Sequence, residues 1–205
     1  MPDTQVKLPH WDLSNVYKGL ETDDFEAGVA KFNDQLTKLE GLIEQHGVGR
    51  LEQPPSDVDA AAGVLDEFIS LLNEMLMHYG SLRAYVQSFI TTDSYNKVAA
   101  RRGSELEQIG VRVDRIYVRF EAWVGSLGPV LDVACERAPV ACAHKLALED
   151  IVDESRFRMD TELEDLASEL LLSGGGVMHK LQGTVTSQLK APFERDGKTE
   201  MLPMT

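Results

Sequence analysis

The chain has 205 residues, 43% of them hydrophobic, and a formal net charge of -14, enough apolar material for one sizeable core. Its Lys and Arg residues are scattered rather than striped, and an acidic surface repels phosphate backbones, so nucleic acid is not an expected partner. The opening Met1-Pro2-Asp3-Thr4-Gln5 has neither the basic nor the apolar region of a secretory signal, and no window is apolar enough for a membrane span. The expected setting is the cytoplasm.

Leu8 to Tyr17 carries large apolar residues without a long period and reads as an extended arm laid on another element. From Asp23 to Gly47, Phe25, Val29, Phe32, Leu36, Leu39 and Ile43 recur at steps of four and three, the apolar face of one helix, and Gly47 suits a left-handed C-cap. Gln53-Pro54-Pro55-Ser56 forms a loop in which Ser56 is placed to cap the next helix.

Two seven-residue series follow: Val58, Leu65, Leu72, Tyr79, Val86, and Ala61, Phe68, Met75, Leu82, Phe89. After the polar break at Thr91-Thr92-Asp93-Ser94, which offers N-cap residues, Ala99, Leu106, Val113, Phe120 and Leu127 interleave with Ile109, Ile116 and Trp123, with Arg102 as the exception. This pattern predicts an elongated, mainly α domain built on a long antiparallel helical hairpin, each arm about 50 Å long at 1.5 Å per residue. Gly125 to Pro129 should end the hairpin. Pro139 separates two short helices, the second running from Val140 toward Ser155. Cys135 and Cys142 fall seven apart in this helical stretch, too far along one face for a disulfide, and read as small buried residues.

A last acidic helix starts near Asp160 or Thr161, Glu164 standing three residues after Thr161 as in a capping box, and should stop at Ser173-Gly174-Gly175-Gly176. A short helical piece from Val177 to Leu181 comes next; then Thr184 to Leu189 is β-like, and Asp196-Gly197 marks a hairpin turn before Met201 to Thr205. The expected organisation is a helical lobe over 1–183 and, over 184–205, the start of a β-containing segment. Two strands are marginal alone, so this hairpin reads first as leading into a further, catalytic domain and alternatively as docking back on the helices.

No catalytic or metal motif is complete. The five histidines, His10, His46, His78, His144 and His179, are followed by Trp, Gly, Tyr, Lys and Lys, so no His-Glu-x-x-His exists. No Gly-x-Ser-x-Gly elbow is present, and Gly174 to Gly176 precedes neither Lys-Ser nor Lys-Thr of a phosphate loop. His144 shares its helix with Glu149 and Asp150, an acid–base pair in outline, but such acids more commonly form a solvated face. Glu162, Glu164 and Asp165 favour a helix N-terminus through its dipole, sufficient reason for their presence.

Several landmarks fall in order along the chain: Trp11-Asp12-Leu13-Ser14 with Tyr17; Thr91-Thr92-Asp93; Phe120-Glu121-Ala122-Trp123-Val124-Gly125-Ser126-Leu127; His144-Lys145-Leu146; Met159 with Glu162 and Glu164; Ser173-Gly174-Gly175; Thr184 to Leu189; and Leu202-Pro203-Met204-Thr205. In this order and spacing they resemble the N-terminal region of the oligoendopeptidase F family, zinc metallopeptidases of the thimet-oligopeptidase kind. Met178 departs from it where the family places a tryptophan. The resemblance implies a lobe forming one wall of a channel that admits short unfolded peptides. It also implies a separate catalytic domain of the same protein, which holds the zinc on a His-Glu-x-x-His helix and a further glutamate. It assigns no catalytic, cofactor-binding or metal-ligating residue to this chain, which is expected to be inactive alone. The competing expectation is a non-enzymatic helical scaffold whose hairpin binds a peptide or partner helix. A third reading, an enzyme complete within these residues, would depend on His144 and its neighbouring acids.

Overall fold

A computed structural model describes residues 11–157, 159, 161–195 and 197–203. The architecture is mainly α, with one two-stranded antiparallel hairpin at the C-terminal end. Three long helices form the body: α1 Asp23–His46, α2 Val58–Thr92 and α3 Lys97–Leu127. Shorter helices follow, α4 Leu131–Arg137, α5 Pro139–Ala143 and α6 Lys145–Glu154, and then α7 Thr161–Leu171 and α8 Val177–Gln188. Strands β1 Lys190–Arg195 and β2 Lys198–Pro203 pair in register from Lys190 opposite Pro203 to Arg195 opposite Lys198.

The heptad positions make the core. In α2, Leu65, Phe68, Leu72, Met75, Leu82 and Val86 are buried; in α3, Ala99, Leu106, Val113, Ile116, Phe120, Trp123 and Leu127 are buried against them. The pairing is antiparallel: Phe68 stacks on Phe120 with ring centroids 4.6 Å apart, the Tyr79 hydroxyl lies against Gly110, and Val86 and Ile90 lie against Gly103. A side chain at Gly110 would collide with that hydroxyl, so glycine sets the spacing of the two helices there. Phe25, Phe32, Leu36, Leu39 and Ile43 close α1 onto this pair, and Phe32 stacks on Tyr79 at 4.6 Å.

Arg102, which breaks the heptad, is the single buried polar residue among the described ones, 8% exposed. Its Nε donates to the Leu20 carbonyl at 2.9 Å, its other nitrogens pair with Glu105 and Glu26, and the guanidinium lies 5.3 Å from the Phe25 ring centroid. Burial works against the charge, but the two carboxylates outweigh it and hold the guanidinium's pKa above its ordinary value. The exception in the repeat is therefore the residue that ties the start of α3 to α1 and the segment before it. Farther along α3, Arg112 donates to both oxygens of Glu40, at 2.8 and 2.7 Å, and to Asn33 at 2.9 Å.

Several local expectations change. Asp57 rather than Ser56 caps α2, accepting from the Ala60 amide at 2.9 Å, because its carboxylate sits one residue nearer the first turn. The polar break is shorter than expected: Thr91 and Thr92 stay in α2 with their hydroxyls bonded to carbonyls one turn back, and Asn96 caps α3. Gly47 does adopt the left-handed conformation, φ 60°, its amide bonded to the Ile43 carbonyl. Of the arm from Leu8 to Tyr17, residues 8–10 lie outside the described ones. Beyond them Leu13 and Tyr17 pack on the core, whereas Trp11 is exposed.

The glycines do not end the last helix. Leu172–Gly176 continues it as a π-helical turn with right-handed dihedrals, Gly176 having φ -61° and ψ -44°. Thr184 to Gln188, expected to be β-like, completes α8, so strand structure begins at Lys190. The β-branched run is reconciled with the helix by its hydroxyls: Thr186 bonds the Gln182 carbonyl at 2.9 Å and Ser187 that of Thr184 at 3.0 Å. Gly197, φ 73°, makes the hairpin turn; Asp196 and the side chains of Thr161 and Glu164, hence the capping box, lie outside the described residues.

Two outcomes test this packing. Arg102→Ala leaves the Leu20 carbonyl and two carboxylates without their donor and should cost about 2–3 kcal/mol, discounted from a fully buried pair because both glutamates reach solvent. Arg102→Leu, which completes the apolar repeat, should cost less; urea midpoints showing the alanine variant equal to the parent would refute this role. The second concerns Glu40, whose carboxyl is held below its ordinary range by hydrogen bonds from Arg112, with burial opposing. A depressed folded-state pKa contributes stability that is full above the unfolded value near 4.5 and is lost as pH falls through the lower folded value. Glu40→Gln should thus cost up to about 1 kcal/mol at neutral pH, a surface-pair magnitude, and the gap should close in acid. Chemical melts at both pH values measure it, and a gap that widens on acidification contradicts the assignment.

Candidate functional site

The residues weighed for acid–base chemistry are not brought together. His144 is exposed where α5 gives way to α6, and its Nε2 lies 3.1 Å from the Asn73 amide nitrogen. Glu149 instead faces Lys145 at 3.7 Å, and Lys145 pairs more closely with Asp132, at 2.6 Å. The helix expected from Val140 to Ser155 is interrupted at His144 itself, which has φ -106° and ψ 14°. The break lets the short α5 pack as its own unit on α2. Its free amides at Val140 and Ala141 both donate to one oxygen of Asp66, at 2.7 and 3.1 Å, so α2 supplies the cap that α5 lacks locally.

The chain also turns at Ala138 between the two cysteines, which are not on one continuous helix. Cys135 is buried in α4, as expected, and burial pushes its thiol pKa up; Cys142, expected to be buried, is exposed on α5. Among the remaining histidines, His78 Nδ1 lies 2.9 Å from the Gln35 side-chain oxygen, and burial followed by the Lys31 charge lowers its pKa. His46 ends α1, His179 lies on α8, and His10 is outside the described residues.

Among the described residues no group of three or more His, Cys, Asp or Glu side chains is arranged to hold a metal ion. No helix among them is long and apolar enough to cross a membrane. An open groove of about 400 Å³ between α3 and α7 is lined by Arg115, Arg119, Glu162, Asp165, Leu166 and Glu169. One Asp165 carboxylate oxygen is buried there without a hydrogen-bond partner.

This groove reveals how the last helix is held. The α7–α8 arm runs antiparallel to α3 and meets it through polar side chains: Glu169 pairs with Arg115, and Lys180 with Glu107 at 2.9 Å and Ser104 at 2.8 Å. Leu166 lines the groove with these polar groups, whereas other apolar side chains of the arm are exposed. Leu163 is 53% exposed, Leu170 59%, Met178 67% and Leu181 55%. A surface helix ordinarily does the reverse, burying its apolar stripe and hydrating the charged one. Exposed large apolar side chains gathered along one arm in this number are a candidate contact surface. The sequence-level pattern contained it, since Leu163, Leu166 and Leu170 fall at helical spacing, but the glycines were expected to cut the helix in two.

Compared with protein-family models, curated proteins and solved structures, the chain matches none.

The trans cap gives the testable point here. Asp66→Ala removes the acceptor of two α5 amides and should cost about 1–2 kcal/mol, whereas Asp66→Asn, which keeps an oxygen in place, should recover most of it. Amide hydrogen exchange at Val140 and Ala141 reads the effect directly. Unchanged protection in the alanine variant would show that the cap is not what holds α5.

Proposed function

We propose that this chain is the N-terminal, substrate-channel lobe of a zinc-dependent oligopeptidase of the oligoendopeptidase F kind, acting on short peptides. The observation that carries the reading is where the ordered landmarks sit in the helical body. Thr91-Thr92-Asp93 closes α2, and Phe120 to Leu127 closes α3, with Phe120, Trp123 and Leu127 buried. Within that second segment Ser126 receives the Leu51 amide at 2.9 Å, locking the α1–α2 connection to the end of α3. Landmarks that organise the ends of a helical pair support a lobe that acts as a rigid wall.

The described residues do not fit a zinc site. In line with the family resemblance, the proposal places zinc, its ligands and the general base in a catalytic region outside these residues, and no step of peptide hydrolysis is routed through this chain. Hydrolysis of an internally quenched peptide should be undetectable with the 205-residue chain and should appear with a form extended through its natural downstream sequence. A chelator should abolish that activity and zinc restore it. Chelator-insensitive cleavage by the short chain, lost in a His144→Ala variant, would instead favour an enzyme complete in itself.

A second reading, a helical scaffold that binds a partner helix, is favoured by the outward apolar face of α7–α8. It needs no catalytic residue, and the two readings separate on whether any natural form of the protein cleaves peptides.

A further inference from the structure

We propose that α8 and the β-hairpin it carries form one movable unit, hinged at the glycine π turn Leu172–Gly176 and latched to α3 by Lys180. The inference goes beyond the peptidase and scaffold readings and depends on neither.

The two halves of the arm are attached differently. Helix α7 lies against α3 along the groove in which Asp165, Leu166 and Glu169 face Arg115 and Arg119, and Glu169 pairs with Arg115. Helix α8 has no buried residue: Val177 to Val185 are exposed, and only Thr186 to Gln188 are partly covered. Among the described residues, every side-chain bond from α8 to α3 comes from one ammonium, that of Lys180, which donates to Glu107 at 2.9 Å and to Ser104 at 2.8 Å. The Lys180 side chain is 44% exposed and that of Glu107 53%. An ion pair so open to water shifts an equilibrium by about fivefold at most, and salt screens it further.

Between the two halves stand Gly174, Gly175 and Gly176, all in helical conformation. Each favours a helix about four- to fivefold less than an alanine does. The widened turn also needs glycine: a β-carbon on Gly176 would come within 3.0 Å of the Leu171 carbonyl oxygen. Leu172 to Gly176 are all exposed, and a β-carbon on Gly174 would meet nothing within 4 Å, so no neighbouring element props the turn from outside. Helices bend at glycines and at π turns, where the hydrogen-bond ladder is already displaced by a residue. The point at which the arm bends most easily therefore lies between the half that is held along its length and the half that is held by a single side chain.

Spin-label distances read the movement directly. In a Cys142→Ser background, with Cys135 buried, one pair of labels is placed at Gln108→Cys on α3 and Thr184→Cys on α8. A control pair is placed at Gln108→Cys and Ala167→Cys, the latter exposed on α7. At low salt the parent should give one narrow distance for each pair. Lys180→Gln, or salt at about 1 M, where the screening length is about 3 Å, should broaden the α8 distance. Its mean should lengthen by roughly 5–10 Å, the travel of a point about 13 Å from the pivot at 1.5 Å per residue swung through roughly 30–45°. The α7 distance should stay the same. Gly174→Ala with Gly175→Ala, added to Lys180→Gln, should bring back the short, narrow α8 distance. The proposal is overturned by an α8 distance that neither Lys180→Gln nor salt changes, by an equal lengthening of the α7 distance, or by a lengthening that the two alanines leave intact. Loss of helical circular dichroism with Lys180→Gln, meaning that α8 unfolds instead of swinging, overturns it too. No outcome depends on peptide hydrolysis or on a bound partner, so this inference and the functional readings fail separately.

Discussion

The fold depends on one constraint: α2 and α3 each carry apolar side chains every seven residues, and a seam of that period is buried only when a second long helix lies along it. Phe68 on Phe120 near one end of the pair and Val86 against Gly103 near the other show the seam closed over most of both helices. Helix α1 then needs only a single apolar face to complete a three-helix core, which Phe25, Phe32, Leu36 and Leu39 provide. Everything after Leu127 is attached to this body. The short helices α4 and α5 dock on α2, α6 and the turn after it dock at the end of α3 with Ser155 close to Gly125 and Val152 close to Gly128, and α7–α8 lies along another side of α3.

Arg102 shows how a departure from the repeat acquires a use. A lone guanidinium at a core position would be costly, and its tolerance rests on compensation from three directions: the Leu20 carbonyl, the Glu26 and Glu105 carboxylates, and the face of Phe25. Those partners come from the segment before α1, from α1 and from α3 itself. One apolar residue at this position could fill the seam but could not specify the register of α1 against α3. Arg112, bonded to Glu40 and Asn33, repeats the same device on the outer side of the helix pair.

The helical body was legible because its signal is long: heptads over two helices and a stepped apolar face over a third leave little room for another period. What failed was local. Ser173-Gly174-Gly175-Gly176 reads as a stop because glycine permits a left-handed cap, but permission is not requirement, and these glycines keep right-handed dihedrals within a π turn. Thr184 to Ser187 has strand propensity, and helix wins through hydroxyl-to-carbonyl bonds that composition does not reveal. Neither the Asp66 cap, seventy-odd residues from its amides, nor the shift of the α2 cap from Ser56 to Asp57 has a signal strong enough to choose it beforehand. The exposed arm was not read from the sequence: Leu163, Leu166 and Leu170 stand at helical spacing in α7, but their continuity with α8 depended on the glycines.

The exposed apolar residues of α7–α8 have an energetic consequence that sets the arm apart from the rest of the molecule. Its ion pairs to α3 are exposed, and such pairs contribute about 0–1 kcal/mol each. Apolar surface removed from water contributes about 25 cal/mol per Å², or roughly 1.5–3 kcal/mol for a large side chain fully buried. Covering even a few of the leucines would therefore contribute more than these ion pairs do. The three-helix body is specified from within, by buried apolar residues and a compensated arginine. The arm is specified only weakly from within, so whatever covers its outer face also decides how firmly it is held. A contact made there acts on the stability of the C-terminal helices and the β-hairpin beyond them, while the core built on α1, α2 and α3 stays as it is.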